Sequence, residues 1–142
     1  MFEQYTQEAR TAVFLARWEA GAVGAPSIAA EHLLLGLLRT DAGVENALPD
    51  PEAAKRIRER IELHYAGGEK LPTSVDMPAS DDCQRVFEEA AKLNDPLIGT
   101  EQLLIAILHQ EKCLAAQILV EQGFELEKFR SQSAPLNPFD FE

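Results

Sequence analysis

Two glutamates stand where side chains can do chemistry: Glu31 and Glu101 each open an apolar helical run, followed at once by His32 and Gln102, with Thr100 ahead of the second. A carboxylate beside an imidazole suggests metal or acid–base work. Adjacent helical residues, however, point about 100° apart, so Glu31 and His32 cannot chelate one ion. His64 and His109 are dispersed along the chain, and no metal site is expected. No Ser/His/Asp or Cys/His motif anchors a catalytic triad, and no Gly-x-x-x-x-Gly-Lys-(Ser/Thr) segment supplies a nucleotide site. The expectation is a chain without enzyme activity, ATP hydrolysis or a cofactor. Glu31 and Glu101 have a sufficient structural role, since a carboxylate in a first turn complements the helix dipole. His32 is expected to be satisfied by a neighbouring backbone carbonyl, and His109 to complement a helix C-terminus. Cys83 and Cys113 read as buried reduced thiols, with a disulfide or a reactive thiol as the alternative.

The elements that must position these residues repeat. Residues 28–38 read Ile-Ala-Ala-Glu-His-Leu-Leu-Leu-Gly-Leu-Leu, and residues 98–108 read Ile-Gly-Thr-Glu-Gln-Leu-Leu-Ile-Ala-Ile-Leu. Each copy follows an amphipathic helix: Thr6 to about Ala22, and Ser80 to about Leu93. Thr6 and Ser80 sit as N-caps, and Glu8, Asp81 and Asp82 fall in the first turns. Ala9, Ala12, Val13, Ala16 and Ala20 recur at three- and four-residue steps, as do Cys83, Val86, Phe87 and Ala90, so each helix has one buried stripe. The cap lies 25 residues before Glu31 but 21 before Glu101, which predicts a second opening helix about one turn shorter.

Each core helix leads to two more helical segments: Val44 to Leu48 and about Glu52 to Tyr65 in the first copy, then 111–122, closed by Gly123, and Glu125 to Ser131 in the second. The copies span residues 1–65 and 80–132, separated by a turn-rich linker at 66–79 and followed by a tail at 133–142. Neither half holds a large core, so the expected fold is all-α, with two four-helix repeats packed face to face as a pseudo-twofold bundle. The tail reads as a disordered or surface-lying end, or as a short recognition peptide. Its Pro135 to Glu142 stretch suggests a natural end rather than an excised one. Tyr5, Phe14 and Trp18 are expected in the core or between repeats, with a peptide groove as the functional alternative.

The 142 residues carry a net charge of −11, with 46% hydrophobic and 26% charged residues. That balance disfavours nucleic acid as a partner. No apolar run reaches the ~20 residues of a membrane span, so no membrane partner is expected. The first residues lack the basic and apolar regions of a secretory signal, and a cytoplasmic location is expected. The one basic cluster, Lys55, Arg56, Arg58 and Arg60, is interleaved with Glu52, Glu59 and Glu62 and reads as a salt-bridged solvated face.

The doubled motif resembles the N-terminal domain of the Clp AAA+ unfoldases, above all the ClpC type, whose repeats carry Ile-Gly-Thr-Glu-His-Leu-Leu-Leu-Gly-Leu-Leu. The likeness runs from Phe2 to about Gln132 and includes Pro78-x-Ser80-Asp81-Asp82-Cys83-x-Arg85-Val86 and Gly123-Phe124-x-Leu126-Glu127-Lys128. It implies a non-catalytic platform that docks a protein or peptide partner: a Clp unfoldase, protease, adaptor or substrate. It also implies an alternative role in recognising phosphorylated arginine, or as a free accessory or competitor regulating a Clp protease. The ligand-binding positions would be Glu31, His32, Thr100, Glu101 and Gln102. The chain departs from the family pattern at Ala29, Ala30 and Gln102.

Overall fold

The computed structural model describes residues 3–67, 77–93 and 96–133. Eight helices occur among them: α1 (Gln7–Ala22), α2 (Ala30–Thr40), α3 (Ala42–Asn46), α4 (Ala53–His64), α5 (Asp81–Ala91), α6 (Thr100–His109), α7 (Leu114–Glu121) and α8 (Leu126–Ser133). The expected all-α, doubled architecture is present. Linker residues 68–76 and tail residues 134–142 lie outside the described residues.

The predicted caps form. Thr6 Oγ1 accepts the Ala9 amide at 3.2 Å, and Ser80 Oγ accepts the Cys83 amide at 3.3 Å, each satisfying a donor that the first helical turn leaves free. Gly123, at φ +75°, stops α7 in a conformation that a side chain would strain. The opening helix of the second copy has 11 residues against 16 in the first, the shortening the spacing predicts. The segment expected to be helical over 111–122 begins only at Leu114, where Cys113 caps it through Sγ. Residues 110–112 instead form the turn out of α6.

The two copies are interlocked rather than simply face to face. Tyr5, just before α1, makes an isolated parallel bridge with Ile98, just before α6; Ala79, just before α5, makes the same bridge with Ile28, just before α2. The amides of Ile98 and Ile28 donate to Gln4 O and Pro78 O, both at 2.8 Å, and those of Thr6 and Ser80 return to Ile98 O and Ile28 O at 2.9 and 2.8 Å. A pseudo-twofold rotation carries one pair onto the other. The exchange continues outward, with α3 packing on α8 and α7 on α4, the third helix of each copy against the fourth of the other.

The core helices α2 and α6 lie at the centre. From Ala30 to Leu37 every residue of α2 is buried, and Leu103, Leu104 and Ile107 of α6 are fully enclosed. α1 approaches α2 closely at Gly36, where a Cβ would stand 2.3 Å from Ala12 O. The alanine stripe of α1 is what permits that approach. Among the described residues, no single helix is long and apolar enough to cross a membrane.

Candidate functional site

At the α2 start, Ala29 has no side chain to cap with. The bond that remains is the reverse one: His32 Nδ1 accepts the Ala29 amide at 2.9 Å. At the α6 start, Gln102 Oε1 accepts the Gly99 amide at 2.7 Å in the same geometry. Both residues supply the returning half of a capping box, in which the third helical residue satisfies the N-cap amide. This corrects the expected His32 partner, which is a backbone amide and not a carbonyl. It also explains why histidine and glutamine interchange in the repeat, since the position needs only an acceptor at that reach.

Burial holds the His32 pKa down to about 4 against the opposing pull of Glu19 and Asp82, so the ring is neutral. With Nδ1 accepting, the proton resides on Nε2, which is enclosed and has no hydrogen-bond partner among the described residues. The Tyr65 ring lies 4.9 Å from the imidazole, centroid to centroid.

Glu31 is 4% exposed. The Tyr65 hydroxyl donates to its Oε2, while Oε1 is enclosed without a hydrogen-bond partner. Burial, then this bond to a carboxylate, raises the Tyr65 pKa well above the usual phenol range. From the other repeat, Asp82 Oδ1 accepts the Ser80 hydroxyl and the Ala30 amide, the latter at 3.4 Å. An acidic side chain thus already occupies the place where the α2 amides would meet an anion.

The α6 start differs. The Thr100 hydroxyl donates to Asp41 Oδ2 at 2.7 Å, and Asp41 also caps α3 through the Gly43 amide at 2.9 Å. Glu101, partly exposed, faces Arg130 of α8 at 3.7 Å. The two glutamates of the repeat therefore sit in unlike surroundings, one sealed under a tyrosine, the other at the surface against a guanidinium. Tyr65, Asp82, Asp41 and Arg130 carried no periodic signal; each reaches its partner from a distant stretch of chain.

Both cysteines are buried free thiols. Burial, then the charges of Asp82 and Glu31, pushes Cys83 up to about 12, and burial raises Cys113. These thiols stay protonated and are poor nucleophiles. His109 faces Glu89 at 3.5 Å. Among the described residues, no cluster of three His, Cys, Asp or Glu could hold a metal.

Phe14 and Trp18, expected in the core or between the repeats, with a peptide groove as the alternative, are 65% and 45% exposed. They lie two residues from Ala12 and Ala16, about 200° around the helix from the alanine stripe, so that geometry turns them outward. Tyr5 is buried, as expected, with Phe87 edge-on at 6.4 Å between ring centroids. These two rings line a groove of about 740 Å³ at the crossed bridge, together with Ala79, Ala91 and Ile98. Glu3 and Glu88 add acidic side chains to its lining.

The sequence profile of the Clp repeat (R) N-terminal domain matches residues 4–122. Over 136 residues the chain is 28% identical to the negative regulator of genetic competence ClpC/MecB of Bacillus subtilis, covering 93% of this chain and 17% of that protein. Over 141 residues it is 33% identical to a probable ATP-dependent Clp protease ATP-binding subunit of Chlamydia pneumoniae, covering 93% of this chain and 16% of that one. The chain thus spans about one sixth of the length of these relatives. The N-terminal domain of the chaperone ClpD from Arabidopsis thaliana superposes with a TM-score of 0.67 at 21% identity, over 92% of each chain. The Hsp104 N-terminal domain from Candida albicans gives 0.70 at 19%, over 92% of this chain and 89% of the other. With the doubled helix start, the interlocked repeats and the profile in agreement, the chain belongs to the Clp repeat N-terminal domain family.

Proposed function

We propose that the chain is a non-catalytic docking module of the Clp chaperone–protease system that holds a segment of a partner protein. The observation that supports this reading is the groove at the crossed bridge, where the half-buried Phe87 ring stands beside Ala79 and Ala91 over the buried Tyr5 and Ile98. Concave apolar surface with a few polar groups is where a peptide side chain gains most on burial. The partners considered are a Clp unfoldase, its protease, an adaptor or a substrate. The test compares proteins captured by the native chain and by Phe87→Ser, with helical content as the folding control. Capture of Clp-system components by the native chain, lost in Phe87→Ser, is the expected result. Recovery of none by the native chain, or equal recovery by both, overturns the reading.

A second reading, recognition of phosphorylated arginine, is favoured at one of the two glutamates only. Glu101 already faces a guanidinium, that of Arg130, and carboxylate–guanidinium pairing is the contact such a ligand requires. Glu31 is enclosed and engaged by Tyr65. Titration with free phosphoarginine is expected to shift amides around Thr100, Glu101 and Gln102, and Glu101→Ala is expected to abolish the shifts. Shifts unchanged by Glu101→Ala, or none at all, remove this reading.

A further inference from the structure

Two glutamates are enclosed among the described residues, and their surroundings differ. Glu19, 1% exposed, is met by Arg58 through bonds of 2.9 and 2.7 Å and by Arg39 at 3.7 Å. Glu31, 4% exposed, has the Tyr65 hydroxyl on Oε2 and no hydrogen-bond partner on the enclosed Oε1. No described lysine or arginine forms an ion pair with Glu31, or with Asp82, whose charge acts on the same phenol. A carboxylate held out of water costs stability unless a cation or several donors meet it. Oε1 is thus an enclosed acceptor for which the described chain supplies no donor.

The groups around that oxygen select what can meet it. A metal ion lacks ligands, since no cluster of three His, Cys, Asp or Glu occurs among the described residues. An anion is turned away: Asp82 Oδ1 already accepts the Ala30 amide at 3.4 Å, at the helix start where a phosphate would bind. A guanidinium fits, because its planar fork of N–H donors meets both oxygens of one carboxylate. The Tyr65 and His32 rings, 4.9 Å apart between centroids, give it aromatic faces to lie against. The His32 ring, kept neutral by burial, adds no opposing charge. A chain of net charge −11 also draws cationic segments towards it.

The Tyr65 phenol stands in the way. Tyr65 is the half-buried C-cap of α4, and its backbone amide bonds back to Ile61 O and Glu62 O at 3.3 and 3.2 Å. Its ring can turn about its own side-chain torsion without unwinding that helix. We propose that the α2 start is a gated pocket for an unmodified arginine side chain of a partner segment, whose guanidinium displaces the Tyr65 hydroxyl from Glu31. Such a pocket extends the docking-module reading, on which it rests, to a second contact that shares no residue with the Phe87 groove.

Amide shifts of Ala30 to Leu33 test this while N-acetyl-arginine amide, N-acetyl-lysine amide or phosphoarginine is titrated in. The chains are the native one, Tyr65→Phe, Tyr65→Ala, and Tyr65→Ala with Glu31→Gln, with helical content as the folding control. The native chain is expected to respond saturably to the arginine amide. Tyr65→Ala should bind it at least about tenfold tighter, having no hydrogen bond to a charged group to displace. Tyr65→Phe, which keeps the ring and carries the comparison if the alanine chain loses helix, should gain part of that. The lysine amide and phosphoarginine should bind more weakly at these amides, and Glu31→Gln should remove the arginine response. Phe87→Ser should leave the shifts unchanged, so that failure of the groove and failure of this pocket are read separately. No response in any chain, an affinity that neither Tyr65 variant alters, or phosphoarginine binding here as tightly as arginine overturns the proposal.

Discussion

Replacing His32 by glutamine separates two roles that the imidazole combines. In the folded chain His32 is fully enclosed and its pKa is about 4; in the unfolded chain it returns to about 6.5. Between these values the unfolded state binds a proton that the folded state refuses. Stability therefore rises with pH across that window, by up to about 1.4 kcal/mol per pH unit for one proton. Summed from pH 4 to above 6.5, the contribution is about 3 kcal/mol, present at pH 7 and lost as the solution is acidified to pH 4. That is a large part of the ~5–15 kcal/mol that holds a typical domain together. Gln102 shows that a glutamine oxygen meets the N-cap amide equally well, at 2.7 Å against 2.9 Å for His32. His32→Gln is thus expected to keep the capping box and to remove the titration. Urea unfolding at pH 7, 6, 5 and 4 measures both chains. The native chain should lose about 3 kcal/mol more than His32→Gln between the ends of the series. Parallel pH profiles for the two chains would refute the reasoning, because they would mean that the folded imidazole takes up its proton freely.

Three further outcomes are expected from the packing and the caps. Gly36→Ala should cost about 2–3 kcal/mol in chemical unfolding, because its Cβ would meet Ala12 O at 2.3 Å and neither backbone can yield without parting α1 from α2. Ser80→Ala should cost about 1 kcal/mol as a lost cap and slightly more than Thr6→Ala, since the Ser80 hydroxyl also donates to Asp82; equal or negligible losses would argue against that second role. Arg58→Ala should cost about 2 kcal/mol, because it strips the enclosed Glu19 of its two-bond partner and leaves only Arg39 at 3.7 Å. Glu19→Gln combined with Arg58→Ala should recover part of that loss in the same assay.

The fold was legible wherever the signal was local. Thr6, Ser80 and Gly123 act through atoms three to five residues away, and the apolar stripes repeat at the helical period, so caps, helix ends and the doubling could be read from the chain. The site was less legible because its electrostatics come from elsewhere. Tyr65 reaches Glu31 across 34 residues, Asp82 reaches the α2 start across 52, and Asp41 reaches Thr100 across 59. Nothing in the Glu-His or Glu-Gln pairs encodes those arrivals. The basic cluster lies between these cases. It is ion-paired, as its charge pattern suggests, yet only Lys55 pairs within its own helix, while Arg56, Arg58 and Arg60 reach Asp50, Glu19 and Glu121. Phe14 and Trp18 were misplaced although the helical angle alone turns them outward; their size suggested burial, and the alanine stripe had already taken the inner face.

The crossed bridges set a timetable for synthesis. Tyr5 leaves the ribosome early, but its partner Ile98 is added 93 residues later, on the order of 5–20 s at ordinary elongation rates. During that interval the first repeat has its helices but lacks the strand contact and the neighbouring α6 and α8 that close it, so its leucines wait partly covered. A nascent chain arrested before Ile98 emerges should be cut by protease within α1 or α2, and one arrested well beyond Ser133 should resist. The first repeat, though it is made first, gains its bridge to Ile98 only once most of the second has been added.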